Sequence, residues 1–164
     1  MTRFKKWTMY EEVTRVPAIV WSPGRIPEGK PIEGLCVLMD FRPTILELAG
    51  VTVPGYIEAK SLLPALENEN KWIPRKMVFS EQMRDHNLTG TDFITIVRDD
   101  MAKLVHFAGE NDGQLFDLQN DPKETINLWD DPKFLETKTR LLDALRESRI
   151  DSGLHIKEWF ADNR

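Results

Sequence analysis

Cysteine is almost absent from this sequence. Cys36 is the single cysteine, so no internal disulfide can form, and no second cysteine or histidine stands at the spacing of a zinc site. Its neighbours are Gly34, Leu35 and Val37-Leu38-Met39, which make the surroundings mostly apolar. We therefore expect a small buried side chain at Cys36 instead of a reactive thiol.

Long apolar runs and clusters of basic residues are also missing. No stretch approaches the ~20 residues of a membrane span, and Met1 to Lys6 carry charge where a signal peptide has its apolar core. The formal net charge is −5, whereas a nucleic-acid-binding domain needs a basic face. We expect no membrane and no nucleic-acid partner, and the composition leaves the localisation open.

Short apolar runs and turn residues alternate in the first part of the chain. Val16–Trp21 is a compact apolar run that ends at Ser22-Pro23-Gly24, which is typical of a strand buried on both faces. Asp40 followed by Pro43 predicts a helix start, and Gly50 is placed to end that helix in a left-handed conformation. The expected buried side of the helix consists of Ile45, Leu46, Leu48 and Ala49.

Strand patterns dominate from about residue 76 onward. The predicted strands are Lys76–Gln82, Phe93–Arg98, Met101–Phe107 and Gln114–Asp117. Because short links join them in sequence order, we expect one antiparallel sheet. Asp131-Pro132 predicts the start of a final helix, whose regularly spaced apolar residues would cover one face of that sheet.

Several motifs occur in a fixed order along the chain. They are Lys6–Glu12 with Thr14–Pro17, Val37–Gly50, Ser61–Leu66, Val97-Arg98 with Lys103–Val105, and Gln114–Leu118 followed by Asp121-Pro122, Glu124 and Asn127-Leu128. Together they resemble the sulfatase family of the alkaline-phosphatase-like superfamily over roughly residues 3 to 150. The last motif is the most specific one. The third departs from the family pattern, because Glu58-Ala59 stands where Asp-Gly is common.

The resemblance implies an α/β fold in two parts. Residues 1–70 would be the last strand and helix units of the sulfatase catalytic domain, a remnant of its α/β sheet. Residues 71–164 would form the C-terminal subdomain, a small antiparallel four-stranded sheet packed by a long helix. The function expected from the resemblance is that of a C-terminal fragment of a sulfuric ester hydrolase.

Most residues that sulfatase chemistry requires are not found in this sequence. The family is understood to use a formylglycine nucleophile, made from the Cys or Ser of a Cys/Ser-x-Pro-x-Arg motif, and a divalent cation, usually calcium. Cys36 is followed by Val37-Leu38 and cannot be that precursor, and Asp99-Asp100 and Asp130-Asp131 fit a turn and a helix start. We expect no cofactor or metal in this chain and no activity by itself, with calcium and formylglycine only in a full-length relative.

The resemblance carries one active-site residue over to this chain. The family's lysine lies four positions before a Tyr/Trp-Glu step, and Lys6 lies four positions before Tyr10. Its implied role is a cation that binds the sulfate group, and the alternative is a flexible surface lysine. His86, in the predicted loop Asp85–Gly90, would border the substrate pocket, or it is a solvated loop histidine.

Two further functions stay open. If Val16–Trp21 forms a strand whose sheet neighbours lie outside these residues, its edge is uncovered and could pair with another chain. This predicts a homo-oligomer, most simply a dimer, acting as a non-catalytic interaction module. Alternatively, a separate catalytic chain that carries the nucleophile and the metal ligands would complete the enzyme.

Overall fold

The structure is a computed structural model that describes residues 9–67, 72–83 and 93–162, with side chains up to residue 154. The chain divides into two compact units. We call Met1–Pro17 with Met77–Leu154 the sheet unit, and Ala18–Lys76 with His155–Arg164 the loop unit.

The sheet unit contains four antiparallel strands. They are β1 (Val78–Met83), β2 (Phe93–Arg98), β3 (Ala102–Phe107) and β4 (Gly113–Asp117). Their spatial order is β1-β2-β3-β4, with Ile96 opposite Val105 and Leu104 opposite Leu115. The prediction of one antiparallel sheet built from consecutive strands is therefore confirmed, as is the α/β class.

The long helix of the sheet unit packs on one face of the sheet. Asp131 accepts a hydrogen bond from the backbone N–H of Lys133 (2.9 Å), and a 3₁₀ turn at Pro132–Phe134 leads into the helix. The buried side chains on this face are Val97, Ala102, Leu104, Leu115, Trp129 and Leu141. Full burial of a leucine such as Leu141 contributes about 2 kcal/mol, so this interface is the main core of the unit.

The stretch that begins at Met9 packs on the opposite face of the sheet. The first helix, α1 (Glu11–Thr14), is a single turn. Met9, just before it, packs against Ile94, Ile96 and Val105, which side-chain alternation places away from the long helix. The sheet is therefore buried on both faces, and the segment that follows Lys6 belongs to this unit.

The loop unit is built around one buried carboxylate. A 3₁₀ turn (Leu38–Asp40) leads into α2 (Phe41–Leu48), and α3 (Leu63–Glu67) follows. Asp40 is fully buried, and its side chain accepts hydrogen bonds from the backbone N–H groups of Val37 (3.0 Å) and Lys60 (2.8 Å). Arg75 binds the same carboxylate through Nε (3.1 Å) and Nη2 (2.5 Å). Asp40 thus joins three separate stretches of this unit.

Helix α2 ends as predicted. Gly50 has a φ of +72°, its N–H donates to the Glu47 carbonyl (3.0 Å), and the Val51 N–H donates to the Leu46 carbonyl (2.9 Å). This pattern is a Schellman motif, for which a left-handed residue is required and glycine is least strained.

The buried side of α2 differs from the predicted one. Pro43 and Thr44 are buried, whereas Ile45 is 61% exposed. Thr44 is drawn inward because its hydroxyl donates to the Asp40 carbonyl (2.6 Å) and accepts from the Leu62 N–H (2.8 Å). These two hydrogen bonds therefore hold Thr44, and not Ile45, on the inner side of α2.

Two predictions for the loop region are wrong. Val16–Trp21 is irregular, and Ile19 and Trp21 are 90% and 78% exposed, because no strand among the described residues lies beside them to supply ladder hydrogen bonds. Cys36 is exposed and not buried. Local desolvation, followed by the negative charge of Asp40, raises the pKa of its thiol, which disfavours a reactive thiolate.

The helix on the sheet is the longest element. This helix, α4, spans Leu135–Asp162. Across the described residues, neither α4 nor a shorter helix is apolar over a length that would cross a lipid bilayer.

Candidate functional site

The two site residues predicted from the sequence are Lys6 and His86, and both lie outside the described residues. The structure does describe the chain just after Lys6, from Met9 onward. The contacts that hold Tyr10 and α1 in place therefore form the described border of the candidate site.

Tyr10 packs on the edge of the sheet and starts α1. Its ring lies 5.9 Å from the ring of Phe116 on β4, centroid to centroid, at an interplanar angle of 46°. Its carbonyl accepts hydrogen bonds from the backbone N–H groups of Val13 (2.9 Å) and Thr14 (3.0 Å). Tyr10, which lies four residues after Lys6, is thus held by both ring packing and backbone hydrogen bonds.

Glu11 binds the sheet through its backbone and its side chain. The Glu11 N–H donates to Glu124 Oε2 (2.5 Å). The Glu11 carboxylate accepts from Arg98 Nε (3.1 Å) and lies 3.5 Å from Lys103 Nζ. Arg98 ends β2 and Lys103 lies on β3, so one residue of α1 is bound to two strands and a distant turn.

Lys103 and Glu124 form a buried ion pair beneath α1. Lys103 Nζ lies 2.6 Å from Glu124 Oε1, and both side chains are excluded from solvent. Oε1 accepts no well-aligned hydrogen bond from the described residues, so the contact is mainly electrostatic. Glu11, Arg98, Lys103 and Glu124 carry two negative and two positive charges, and we call them the charge cluster.

Glu124 reaches the charge cluster through an unusual backbone conformation. Its φ is +54°, the one positive value outside glycine among the described residues. The turn is held by Asp121, whose carboxylate accepts from the N–H groups of Thr125 (2.6 Å) and Ile126 (2.8 Å). The Asp-Pro-x-Glu portion of the most specific sequence motif therefore serves to point the Glu124 carboxylate inward.

The Asn-Leu portion of that motif attaches the same turn to β4. Asn127 Oδ1 accepts from the Leu115 N–H (3.0 Å), and Asn127 Nδ2 donates to the Gly113 carbonyl (3.0 Å). The Leu128 N–H then donates to the Leu115 carbonyl (2.8 Å). Two of these bonds use the Asn127 side chain and one uses the Leu128 backbone, so the segment that follows Glu124 is bound along the edge of β4.

The acid pairs in the sequence do not form a metal site. Within the described ranges, no three His, Cys, Asp or Glu side chains converge as metal ligands would. Asp99 accepts from the N–H groups of Met101 (2.8 Å) and Ala102 (2.7 Å) and pairs with Arg140 (2.7 Å). Burial alone would raise the pKa of Asp99, but these donors and Arg140 hold it below its usual value. The described residues thus do not fit the calcium that the family implies.

Sequence reasoning missed the cationic partners of Glu11. In the sequence Arg98 and Lys103 stand out only as parts of a motif, and Lys103 lies 92 positions from Glu11. The sequence contained a signal for a buried charge pair. Lys103 lies between Ala102 and Leu104 on β3, and because side chains alternate along a strand, Lys103 shares a sheet face with Val105. A lysine on an apolar sheet face needs a buried anionic partner.

Comparison with known proteins identifies the relatives of this chain. A sequence profile of the family described as N-sulphoglucosamine sulphohydrolase, C-terminal, matches residues 1–151. The N-acetylglucosamine-6-O-sulfatase of Bacteroides thetaiotaomicron is 33% identical over 154 residues, which cover 89% of this chain and 27% of that protein. The Delta 4,5-hexuronate-2-O-sulfatase of the same organism is 32% identical over 153 residues, covering 90% of this chain and 32% of that one.

A solved structure shows the same fold. It contains a protein in complex with its substrate D-glucosamine-2-N,6-O-disulfate and matches with a TM-score of 0.74 at 30% identity, covering 87% of this chain and 29% of that chain. This chain therefore spans about a third of the length of the curated relatives it matches, or less. Since the profile covers nearly all of the sequence and the fold agrees, the chain belongs to the N-sulphoglucosamine sulphohydrolase C-terminal family and corresponds to the C-terminal portion of a sulfatase.

Proposed function

We propose that this chain supplies the C-terminal part of a sulfuric ester hydrolase and contributes Lys6 to the binding of the sulfate group, without catalysing hydrolysis by itself. The observation that carries this proposal is the anchoring of Tyr10 and Glu11, which lie four and five positions after Lys6, to the other elements of the sheet unit. A segment used only as a surface tail would not require ring packing and buried charge pairs.

The chemistry explains why a lysine would be useful in this place. Negative charge builds up on the leaving oxygen and around the sulfuryl group during hydrolysis, and an ammonium group is a compact charge that can offset it. The nucleophile and the metal would come from other residues, because this sequence contains no Cys/Ser-x-Pro-x-Arg motif and its described acids do not fit a calcium site.

The substrate class that we propose is sulfate esters in general, with no particular sugar. One relative is named for the 6-O-sulfate of N-acetylglucosamine and the other for the 2-O-sulfate of a hexuronate, although both are about equally similar to this chain. His86 is proposed as a residue that borders the substrate pocket. A His86→Ala variant would then change kcat/KM for sulfated sugars by a larger factor than it changes kcat/KM for a small aryl sulfate.

Turnover of an aryl sulfate tests the proposal. We expect no calcium-dependent hydrolysis by the purified chain alone. Activity should appear when the chain is joined to, or co-purified with, a polypeptide that carries the nucleophile and metal ligands of the family. In that complex, Lys6→Ala should lower kcat/KM by about 100-fold, whereas Lys5→Ala, at the neighbouring position, should leave it nearly unchanged.

Two results would overturn this function. Robust metal-dependent turnover by the chain alone would show that the other residues are not needed. Equal kinetics for the Lys6→Ala and Lys5→Ala complexes would remove Lys6 from the site.

A second candidate function is a non-catalytic oligomerising module. The observation in its favour is the exposure of Ile19 and Trp21, since such side chains are typical of surfaces that bind another chain. Sedimentation velocity at micromolar concentration should then detect a dimer that Trp21→Glu dissociates. Ile73→Glu, at another exposed position of the loop unit, should leave it intact. A monomer at that concentration would exclude this function.

A further inference from the structure

We infer that Glu11, Lys103 and Glu124 are positioning residues, which fix the start of α1 on the sheet and act on Lys6, five positions before Glu11, through that anchor. The inference rests on the proposed role of Lys6. It goes further in assigning a purpose to the charge cluster.

The first reason is that α1 is too short to hold its own shape. It has four residues, and isolated helices of that length are not stable in water. Its first N–H, that of Glu11, has no partner within the helix and instead donates to the charged Glu124 Oε2. The charge cluster therefore determines where α1 begins.

The second reason is that burying the charges of the cluster costs free energy, which a role in stability alone would not justify. A buried ion pair commonly stabilises no more than well-packed apolar residues of similar volume. Lys103 and Glu124 are nevertheless both buried, and Glu124 adopts a left-handed φ, which costs about 1 kcal/mol or more. Strain and buried charges together favour a role in fixing geometry.

The third reason is the direction in which the bonds run. The Asp121 turn supports Glu124, Glu124 binds Lys103 and the Glu11 N–H, and the Glu11 carboxylate returns to Arg98. Two of these contacts end at Glu11, the first residue of α1, and the others hold Glu124 in place to make one of them. Loss of the cluster should therefore free α1 before it affects the strands.

The test uses the full chain and a variant that removes both buried charges at once. Lys103→Met with Glu124→Leu leaves no unpaired buried charge, so the sheet should remain folded. Amide hydrogen exchange should become at least about tenfold faster at Glu11, while the amides of Leu104 and Leu115 change less than about threefold. Asp143→Asn, which disrupts an exposed ion pair of the same unit, is the matched control and should change none of them.

A second, more conservative variant separates a local effect on α1 from misfolding of the whole unit. Glu11→Gln keeps the shape of the side chain and the backbone bond to Glu124 but weakens the contacts to Arg98 and Lys103. It should speed exchange at Val13 and Thr14. Equal acceleration at Leu104, or no acceleration at α1 in either variant, would overturn the inference.

Kinetics of the completed enzyme separate positioning from simple stability. If the charge cluster acts through Lys6, the loss of kcat caused by Lys103→Met with Glu124→Leu should largely vanish in a Lys6→Ala background. If the combined variant instead loses kcat by the product of the two separate losses, the charge cluster acts independently of Lys6, and the inference is overturned. A Lys6→Ala variant with unchanged kinetics would instead overturn the proposed function, and the exchange result would still stand by itself.

Discussion

Each of the two units of this chain is stabilised internally by a different kind of interaction. The sheet unit has apolar side chains packed on both faces of its sheet, and its charged residues at the centre are paired. The loop unit is organised by Asp40, which binds two backbone N–H groups and Arg75. Its large exposed apolar side chains include Ile19, Trp21, Leu38, Met39, Ile45, Val51, Tyr56 and Ile73.

This difference indicates what each unit needs. A sheet of three or more strands with a helix packed on one face can be stable alone, and the sheet unit meets that condition. Burial of apolar area is the main driving force of folding, and the loop unit leaves much of that area in solvent. The polar contacts of Asp40 therefore define the shape of the loop unit more than apolar packing does.

Removing Asp40 is expected to have the largest effect and to be confined to the loop unit. Asp40→Ala leaves Arg75 and two backbone N–H groups without their acceptor, which should cost on the order of 3 kcal/mol. Amide hydrogen exchange should accelerate strongly at Leu66 and little at Leu104. Asp100→Ala, on an exposed turn, is the control and should change stability by less than about 0.5 kcal/mol. Equal loss in both units would contradict the comparison.

Acid should weaken the loop unit through the same residue. Burial alone would raise the pKa of Asp40, but hydrogen bonds from Arg75, Val37 and Lys60 outweigh it and hold the pKa below the usual value. The folded state therefore favours the carboxylate, which stabilises the unit above about pH 4 and ceases to do so as the pH falls through the lowered pKa. Urea denaturation between pH 6 and about pH 2.5 measures this loss, which should be smaller in Asp40→Asn.

A steric substitution should affect the sheet unit instead. A Cβ placed on Gly113 would overlap the ring of Trp129, which is buried in the main core. Gly113→Ala should therefore destabilise this unit by roughly 1–3 kcal/mol. Gly55→Ala has open space around it and an ordinary φ, so it should be neutral or slightly stabilising. Thermal unfolding of the two variants, compared with the parent chain, distinguishes them.

The smallest expected effect is at the start of α4. Asp131→Ala removes the side chain that accepts the Lys133 N–H and should cost about 1 kcal/mol. Asp130→Ala changes the neighbouring exposed acid and should have almost no effect. Urea midpoints of the two variants that do not differ would show that the cap contributes nothing to the sheet unit.

Local patterns predicted much of the secondary structure. Phe93–Arg98 was predicted as a strand from its β-branched residues and has those bounds in the structure. Gly50 and Asp131 were predicted from capping chemistry, which depends on residues only a few positions apart. The Val16–Trp21 prediction failed because a strand also requires neighbouring strands, and the described residues provide none beside it.

The candidate site was less predictable for the same reason. The sequence by itself determined the family, the four strands, the helix ends and the motif that surrounds Glu124. Only the tertiary structure decided that Glu124, 113 positions from Glu11, accepts the Glu11 N–H and that Lys103 is buried between them. Capping and strand preference act over a few residues, whereas the pairing of buried charges depends on which distant segments the fold brings within a few ångströms.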